Sequence, residues 1–495
     1  MIMMNSKIRR ILAIVFFALI TLLFLDFTGT IHTWFGWMAK IQFLPALLAL
    51  NVGVVVGLVV LTLLMGRIYC SVICPLGVFQ DAVSWIAGKT RKNRFSYSRP
   101  MTWLRYAMLA LLVVSLVAGI GSIAALLAPY SAYGRMVSNL LSPLYLWSNN
   151  LLAHWAEQAD SYSFYSAEVW IKGGVTLAVA LITLVVLVVL AWKNGRTYCN
   201  TVCPVGTVLG FLSRFSWLKP VIDTEKCNSC GLCARNCKAS CIDSKAHTID
   251  YSRCVVCLDC VDKCKKEAIR YVPRRKNAVP QGDEKVDNGR RAFMTATALA
   301  TAAGVAKAQE KKLDGGLATI IDKQKPLRET PIVPAGAMSL RHFTLHCTAC
   351  QLCVQACPNQ VLRPSSDMRR LMKPEASYER GYCRPECTKC SEVCPAGAFH
   401  LIDRAEKSSI QVGHAVWVED NCVVNTDGVS CGNCARHCPT GAIQMIPNDP
   451  NDDKSPKIPA INTERCIGCG ACEHLCPSRP FSAIYVEGHE VHRVI

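Results

Sequence analysis

Cys347-Thr-Ala-Cys350-Gln-Leu-Cys353-Val-Gln-Ala-Cys357-Pro358 is the stretch on which the reading of this chain turns. Gaps of two residues let three thiolates from one tight loop grip three irons of a cubane cluster. The fourth cysteine, three residues on and before proline, points away and ligates a neighbouring cluster. Zinc also takes Cys-x2-Cys pairs, but rarely needs the third cysteine or the Cys-Pro. The pattern recurs downstream as Cys383, Cys387, Cys390, Cys394, then Cys422, Cys431, Cys434, Cys438, then Cys466, Cys469, Cys472, Cys476. Each of these groups also ends in proline (Pro395, Pro439, Pro477). Two groups lie upstream: Cys227, Cys230, Cys233, Cys237 and Cys254, Cys257, Cys260, Cys264, with Lys238 and Lys265 in place of proline. Of the 29 cysteines, these six groups imply six [4Fe-4S] clusters. Tight repeated grouping is not what a disulfide framework needs. Within the upstream unit, cross-ligation predicts that Cys237 completes the cluster of Cys254, Cys257 and Cys260. Cys264 then completes that of Cys227, Cys230 and Cys233. Cys241 is left over as a buried residue.

A second cysteine motif is duplicated. Arg67-Ile-Tyr-Cys70-Ser-Val-Ile-Cys74-Pro75-Leu-Gly77 returns as Arg196-Thr-Tyr-Cys199-Asn-Thr-Val-Cys203-Pro204-Val-Gly206. On a helix, thiols at i and i+4 share a face. Cys70, Cys74, Cys199 and Cys203 are therefore candidate redox or metal cysteines, converging on one site, or else small buried residues beside a Pro-Gly break.

Four apolar runs, roughly 11–27, 41–65, 102–128 and 169–192, approach the ~20 residues that span a bilayer. The net charge of +18 lies in the first 308 residues, because residues 309–495 carry equal numbers of acids and bases. These bases flank apolar runs, as at Lys7, Arg9, Arg10 and again at Arg67, Lys89, Arg91, Lys92, Arg94, Arg99. By the positive-inside rule that places both ends of the four-span unit in the cytoplasm. Nucleic acid is not expected as a partner. The 129–168 segment falls outside, its Tyr130, Tyr133, Tyr145, Trp147 and Trp155 suiting an interfacial layer. No histidine lies within a run, which argues against b-type haem. His32 and His154 read as ordinary interface residues. No dinucleotide or phosphate-loop glycine motif is present, and no Ser/His/Asp constellation.

Between the two cysteine-rich regions stands Gly289-Arg290-Arg291-Ala292-Phe293-Met294, then a soft apolar stretch to Ala306-Lys307-Ala308. This is the grammar of a twin-arginine export signal, in an internal position; a basic linker before an Ala-rich helix is the plainer reading. Residues 290–308 could form a fifth, weak span. The expected organisation is a four-span membrane domain over 1–220, a two-cluster ferredoxin domain over 221–272, a linker over 273–340 and a four-cluster ferredoxin domain over 341–495. The fold class is an α-helical polytopic membrane domain plus two α+β ferredoxin-like iron–sulfur domains.

With these motifs in this order, residues 1–272 resemble the NapH-type quinol dehydrogenase membrane subunit. Residues 285–495 resemble the NapG/MauM-type four-cluster ferredoxins. The resemblance implies a fusion in the bacterial inner membrane. It implies that quinol is the electron donor, from the membrane quinol pool, and that the acceptor is a periplasmic reductase or c-type cytochrome. Residues 341–495 would then be periplasmic, and the quinol site is not visible. Resemblance to four-cluster subunits further implies nested wiring: the 347 group exchanges its last cysteine with the 466 group, and the 383 group with the 422 group. The alternative resemblance is to CcoG/FixG and NosR types, which are assembly or regulatory factors.

Overall fold

The computed structural model describes residues 6–90, 95–161, 164–273, 321–452 and 455–495. The twin-arginine stretch and the fifth span expected over 290–308 lie outside the described residues.

The first and fourth apolar runs form helices Ser6–Leu25 and Gly174–Asn194, both long and apolar enough to cross a membrane. The second and third each form two helices, not one. Residues 41–65 divide into Phe43–Leu48 and Val52–Met65, because Leu50 takes φ 53° and the Asn51 side chain caps the second helix on the Val54 N–H. Residues 102–128 divide into Thr102–Val117 and Gly121–Leu127 at Gly119, φ 74°. A left-handed residue ends a helix however apolar its neighbours are. The expected external aromatic loop is also corrected. It is mostly helical, with Pro129–Met136, a π-helical turn Val137–Leu141 and Ser142–Gln158. Tyr130 and Tyr133 are buried against Phe24 and Phe17, with ring centroids 5.4–6.4 Å apart. Tyr145, Trp147 and Trp155 are exposed.

The duplicated motif folds twice in the same way. Gly66 and Gly195, both with positive φ, end the preceding helices. Short helices Ile68–Val72 and Thr197–Thr201 follow, and Pro75 and Pro204 open Pro75–Thr90 and Pro204–Ser213. Proline lacks an N–H that the first helical turn does not need. The two halves are exchanged: Val52–Met65 packs on Pro204–Ser213, and Gly174–Asn194 on Pro75–Thr90.

The two cysteine-rich units dock at opposite ends of this bundle. At the start of Ser6–Leu25, Ser6 donates to Asp262 (2.5 Å) and Arg10 pairs with Asp259 and Asp262. Trp217 N–H donates to the Leu63 carbonyl and Tyr271 Oη to that of Met65. At the other end, Asn139 donates to Gln351 (2.8 Å), Ser122 to the Arg369 carbonyl and His346 to that of Leu48. Lys172 bonds Gln355 and Arg380 pairs with Glu168. Helix Ser6–Leu25 has 20 residues, so the units stand about 30 Å apart along it. Both are built of two-stranded antiparallel ribbons and single-turn helices. Leu218–Ile222 pairs with Ile269–Pro273 in the first, and Ile410–Trp417 with Ile484–Val494 in the second.

Candidate functional site

Local backbone geometry explains why Cys-x2-Cys-x2-Cys makes a site. In four loops the residue before the second cysteine and the residue after it both take left-handed φ: Ser229 and Gly231, Val256 and Leu258, Ala349 and Gln351, Gly468 and Gly470. That double reversal curls the chain around one centre. For Val256 (φ 52°) the conformation is strained, since a β-branched residue rarely adopts it. The 383 and 422 groups, with wider gaps, lack these pairs among the described residues.

The structure brings the last cysteine of most groups to the first three cysteines of another group. Cys237 lines one void with Cys254, Cys257 and Cys260, a void that Cys241 also lines. Cys357 lines another with Cys383, Cys387 and Cys390, and Cys469 of the 466 group reaches it as well. Cys394 lies within electrostatic reach of Cys347, Cys350 and Cys353. Cys438 shares a void with Cys466, Cys469 and Cys472, and Cys476 with Cys422, Cys431 and Cys434. The nested wiring is therefore overturned. The last cysteines of the 347 and 383 groups lie toward each other's groups, as do those of the 422 and 466 groups. The reason is packing: helices Leu352–Gln355 and Lys389–Val393 lie side by side, as do Asn433–Arg436 and Ala471–Leu475. In the upstream unit Cys227 and Cys230 adjoin Cys233, and Cys264 ends helix Asp259–Lys263.

The donor sets fit cubane clusters. Among the described residues no three His, Cys, Asp or Glu side chains close on a single ion. Four sulfurs around one zinc would lie roughly 4 Å apart, whereas a cubane holds its thiolates further off. Backbone N–H groups of Ala268, Ala349, Val361 and Ala483 donate to Cys264, Cys347, Cys357 and Cys476 at 3.3–3.4 Å, contacts that tune cluster potential. Lys407 Nζ reaches Cys383 Sγ at 3.3 Å. Buried Cys241 sits 3.5 Å from Cys237 Sγ, beside the set rather than in its pattern.

Lys238, which departs from Cys-Pro, has a structural reason. Its ammonium bridges Asp259 (2.9 Å) and Asp81 (3.7 Å), and its carbonyl accepts from Arg196 N–H (2.8 Å). Proline there would lose the Asp259 pair inside the upstream unit and the Asp81 pair that ties this unit to the bundle.

Cys70, Cys74, Cys199 and Cys203 are buried and gather at the centre of the exchanged halves; each lies within electrostatic reach of others from both repeats. The arginine that opens each motif, whose role the sequence did not disclose, crosses between halves. Arg67 Nη2 donates to the Cys199 carbonyl (3.2 Å) and lies 3.8 Å from Cys70 Sγ. Arg196 Nη1 donates to the Cys70 carbonyl (2.7 Å) and lies 3.9 Å from Cys199 Sγ. Gln80 donates to Cys199 Sγ at 3.2 Å. Two buried arginines thus stand against the four cysteines, Arg196 being paired in turn with Asp81. The motif glycines make room for it. A Cβ on Gly77 would stand 2.2 Å from the Cys70 carbonyl oxygen and 2.6 Å from Arg196 Nη1. On Gly206 it would stand 2.2 Å from that of Cys199 and 2.8 Å from Arg67 Nη2. Gly206→Ala should therefore cost about 1–3 kcal/mol, seen as a lower Tm of the detergent-solubilised protein; a Tm equal to wild type would contradict this packing.

This four-cysteine centre adjoins both ferredoxin units. Arg67 donates to the Ser252 carbonyl (3.1 Å) and lies within electrostatic reach of Cys254. On the other side, Tyr198 lies within reach of Cys199, Cys203 and Arg135, and Arg135 within reach of Cys350.

Comparison with known proteins agrees with the cysteine chemistry. A family described as "4Fe-4S binding domain" matches residues 47–93 and again 176–222, and a "4Fe-4S dicluster domain" matches 429–479. The methylamine utilization ferredoxin-type protein MauM of Paracoccus denitrificans is 32% identical over 184 residues, 36% of this chain and 77% of that protein. Ferredoxin-type protein NapG of Escherichia coli is 28% identical over 202 residues, 39% of this chain and 83% of NapG. NapF of the same organism is 27% identical over 179 residues, 36% of this chain and 99% of NapF. No solved structure matches the chain.

Proposed function

Since the chain belongs to the MauM family of ferredoxin-type proteins, and so transfers electrons through iron–sulfur centres, we propose that it is a membrane-bound relay that takes electrons from quinol. In this reading residues 1–220 form a NapH-like membrane domain, with 221–272 on the cytoplasmic side and 341–495 on the periplasmic side. The periplasmic unit hands electrons to a respiratory reductase or c-type cytochrome. Six cysteine sets would hold [4Fe-4S] clusters: Cys227, Cys230, Cys233 with Cys264; Cys254, Cys257, Cys260 with Cys237; and the four sets of the C-terminal unit in the adjacent pairing described above. Such clusters pass single electrons. The chain's part is to hold them in range and to exclude water.

The observation that carries the proposal is the buried centre of Cys70, Cys74, Cys199 and Cys203 between two units docked at opposite ends of the bundle. Each stretch matched as a 4Fe-4S binding domain, 47–93 and 176–222, contributes only two cysteines, whereas a cubane takes four. The two repeats would thus hold one further cluster jointly, with Arg67 and Arg196 offsetting its negative charge. That centre supplies a route through the apolar layer without haem, the gap that hydropathy alone leaves open.

The test is anaerobic purification, iron and sulfide analysis, and reduction by a menaquinol analogue followed by EPR. About four iron atoms per set and menaquinol-dependent cluster signals are the expected result. Stoichiometric zinc with little iron would end the cluster assignment. Clusters that stay oxidised by quinol in intact protein would leave the maturation-factor reading in its place.

A further inference from the structure

Helix Ser6–Leu25 is followed by Asp26, a carboxylate buried to 1% exposure. Its Oδ1 accepts from the N–H groups of Thr28 and Gly29 and the Thr28 hydroxyl. Its Oδ2 accepts from the N–H groups of Ile31 and His32. So many donors fix the carboxylate and, although burial opposes it, hold its pKa below the ordinary value. Oδ2 also takes His32 Nδ1 at 3.2 Å. This places the imidazole proton on Nδ1 and leaves Nε2 as an acceptor. The His32 side chain is 9% exposed, and Nε2 is buried with no hydrogen-bond partner. Burial lowers the pKa of His32, Asp26 works the other way, and Lys389 adds to the lowering. The neutral base is therefore the resting form near pH 7.

His32 lines a cavity of about 370 Å³ between the bundle and the C-terminal unit. One wall is Phe27, Trp34 and Trp37; the other is Ala356, Pro358 and Val393, with Lys40, Lys389 and Glu392 as its charged groups. Ala356 and Pro358 flank Cys357, and Val393 precedes Cys394. The cavity thus abuts two different cysteine sets. Trp34 and Trp37 are 79% and 53% exposed beside a helix apolar enough to span, a placement typical of the membrane interface.

We propose that this cavity is the oxidation site for a membrane hydroquinone, with His32 Nε2 accepting a hydroxyl proton and Asp26 positioning the imidazole. The proposal rests on the quinol reading above and assigns it a place. Hydroquinone becomes quinone by loss of two protons and two electrons. One O–H proton goes to His32, the other to water at the cavity mouth beside Glu392. The two electrons would leave one each to oxidised clusters that the Cys347 and Cys383 groups, with Cys394 and Cys357, would hold. Nothing else is consumed. The aromatic walls accept a planar ring, and the volume suits a head group rather than a protein segment.

The experiment uses the full chain in anaerobic proteoliposomes, with a photoreactive azidoquinone and menaquinol. The azidoquinone should label peptides within 27–40 or 389–393, and excess menaquinone should suppress the labelling. His32→Gln should slow menaquinol-driven cluster reduction about a hundredfold, the scale of lost proton transfer. Labelling and the dithionite-reduced EPR spectrum should be unchanged. Thr33→Trp, at the cavity wall, should abolish labelling with the same spectrum kept. Wild-type protein that menaquinol cannot reduce would overturn the quinol reading itself. Wild-type protein that is reduced, with both variants at the wild-type rate and label elsewhere, would overturn this site alone.

Discussion

In a Cys70→Ser/Cys199→Ser protein, menaquinol should still reduce the clusters of residues 347–476, while those of 227–264 stay oxidised. The four motif cysteines sit between the units, joined on one side through Arg67 to Ser252 and on the other through Tyr198 and Arg135 toward Cys350. Serine oxygen is a poor substitute for thiolate on iron. Removing one cysteine from each repeat should therefore cost one cubane, about four iron atoms, without touching either ferredoxin unit. Dithionite, which needs no internal route, should still reduce every remaining cluster. That control separates a broken relay from a misfolded protein. Unchanged iron together with wild-type reduction of both units would show that the motif cysteines are structural only.

Asp81→Ala should be the most damaging single change outside the cysteines, at about 3–5 kcal/mol. Arg196 is fully buried and gives Nε and Nη2 to the two Asp81 oxygens at 2.9 and 2.7 Å. Arg9 and Lys238 stand 3.7 Å from the same carboxylate. Lys238 keeps Asp259 in the variant, but Arg196 loses its only carboxylate partner among the described residues and stays charged in a dry site. Burial opposes the charged form of Asp81, yet Arg196, Lys238 and Arg9 outweigh it and hold its pKa well below the carboxylate range. A folded-state pKa below the unfolded one means the stabilisation is complete above the ordinary carboxylate range. It is lost only as the pH falls through the lower, folded value. The difference between wild type and variant, read as Tm in detergent, should be full at pH 7 and shrink in strong acid. A difference under about 0.5 kcal/mol at pH 7 would contradict the paired arrangement.

Much of the cluster chemistry could be read from the chain because ligand spacing is local. Cys-x2-Cys-x2-Cys needs only a few residues and two left-handed turns to face three sulfurs inward. The partner of each fourth cysteine was not legible in the same way. Cys357 meets Cys383, Cys387 and Cys390 because two short helices pack side by side, and no spacing records that. The breaks in runs 41–65 and 102–128 were not legible because hydropathy counts apolar side chains and does not see that Leu50 and Gly119 reverse the backbone. Tyr130 and Tyr133 looked interfacial because an aromatic in a polar segment has two uses, and here they fill the core. The contact of His32 with Asp26, on which its proposed role rests, was not read from the sequence. The available signal was Asp26, an acid at the end of the first apolar run and six residues before a histidine.

By itself the sequence determined the ferredoxin-type character of the protein, the sets of cysteines and the duplicated Cys-x3-Cys-Pro motif, since each is written in residues close along the chain. Only the tertiary structure decided which loops place their fourth cysteines together, that both repeats share one buried centre, and that His32, held by Asp26, lines a cavity beside two cysteine sets. Those facts join residues up to several hundred positions apart. They are set by how helices and loops pack, a property of the folded whole that no local pattern encodes.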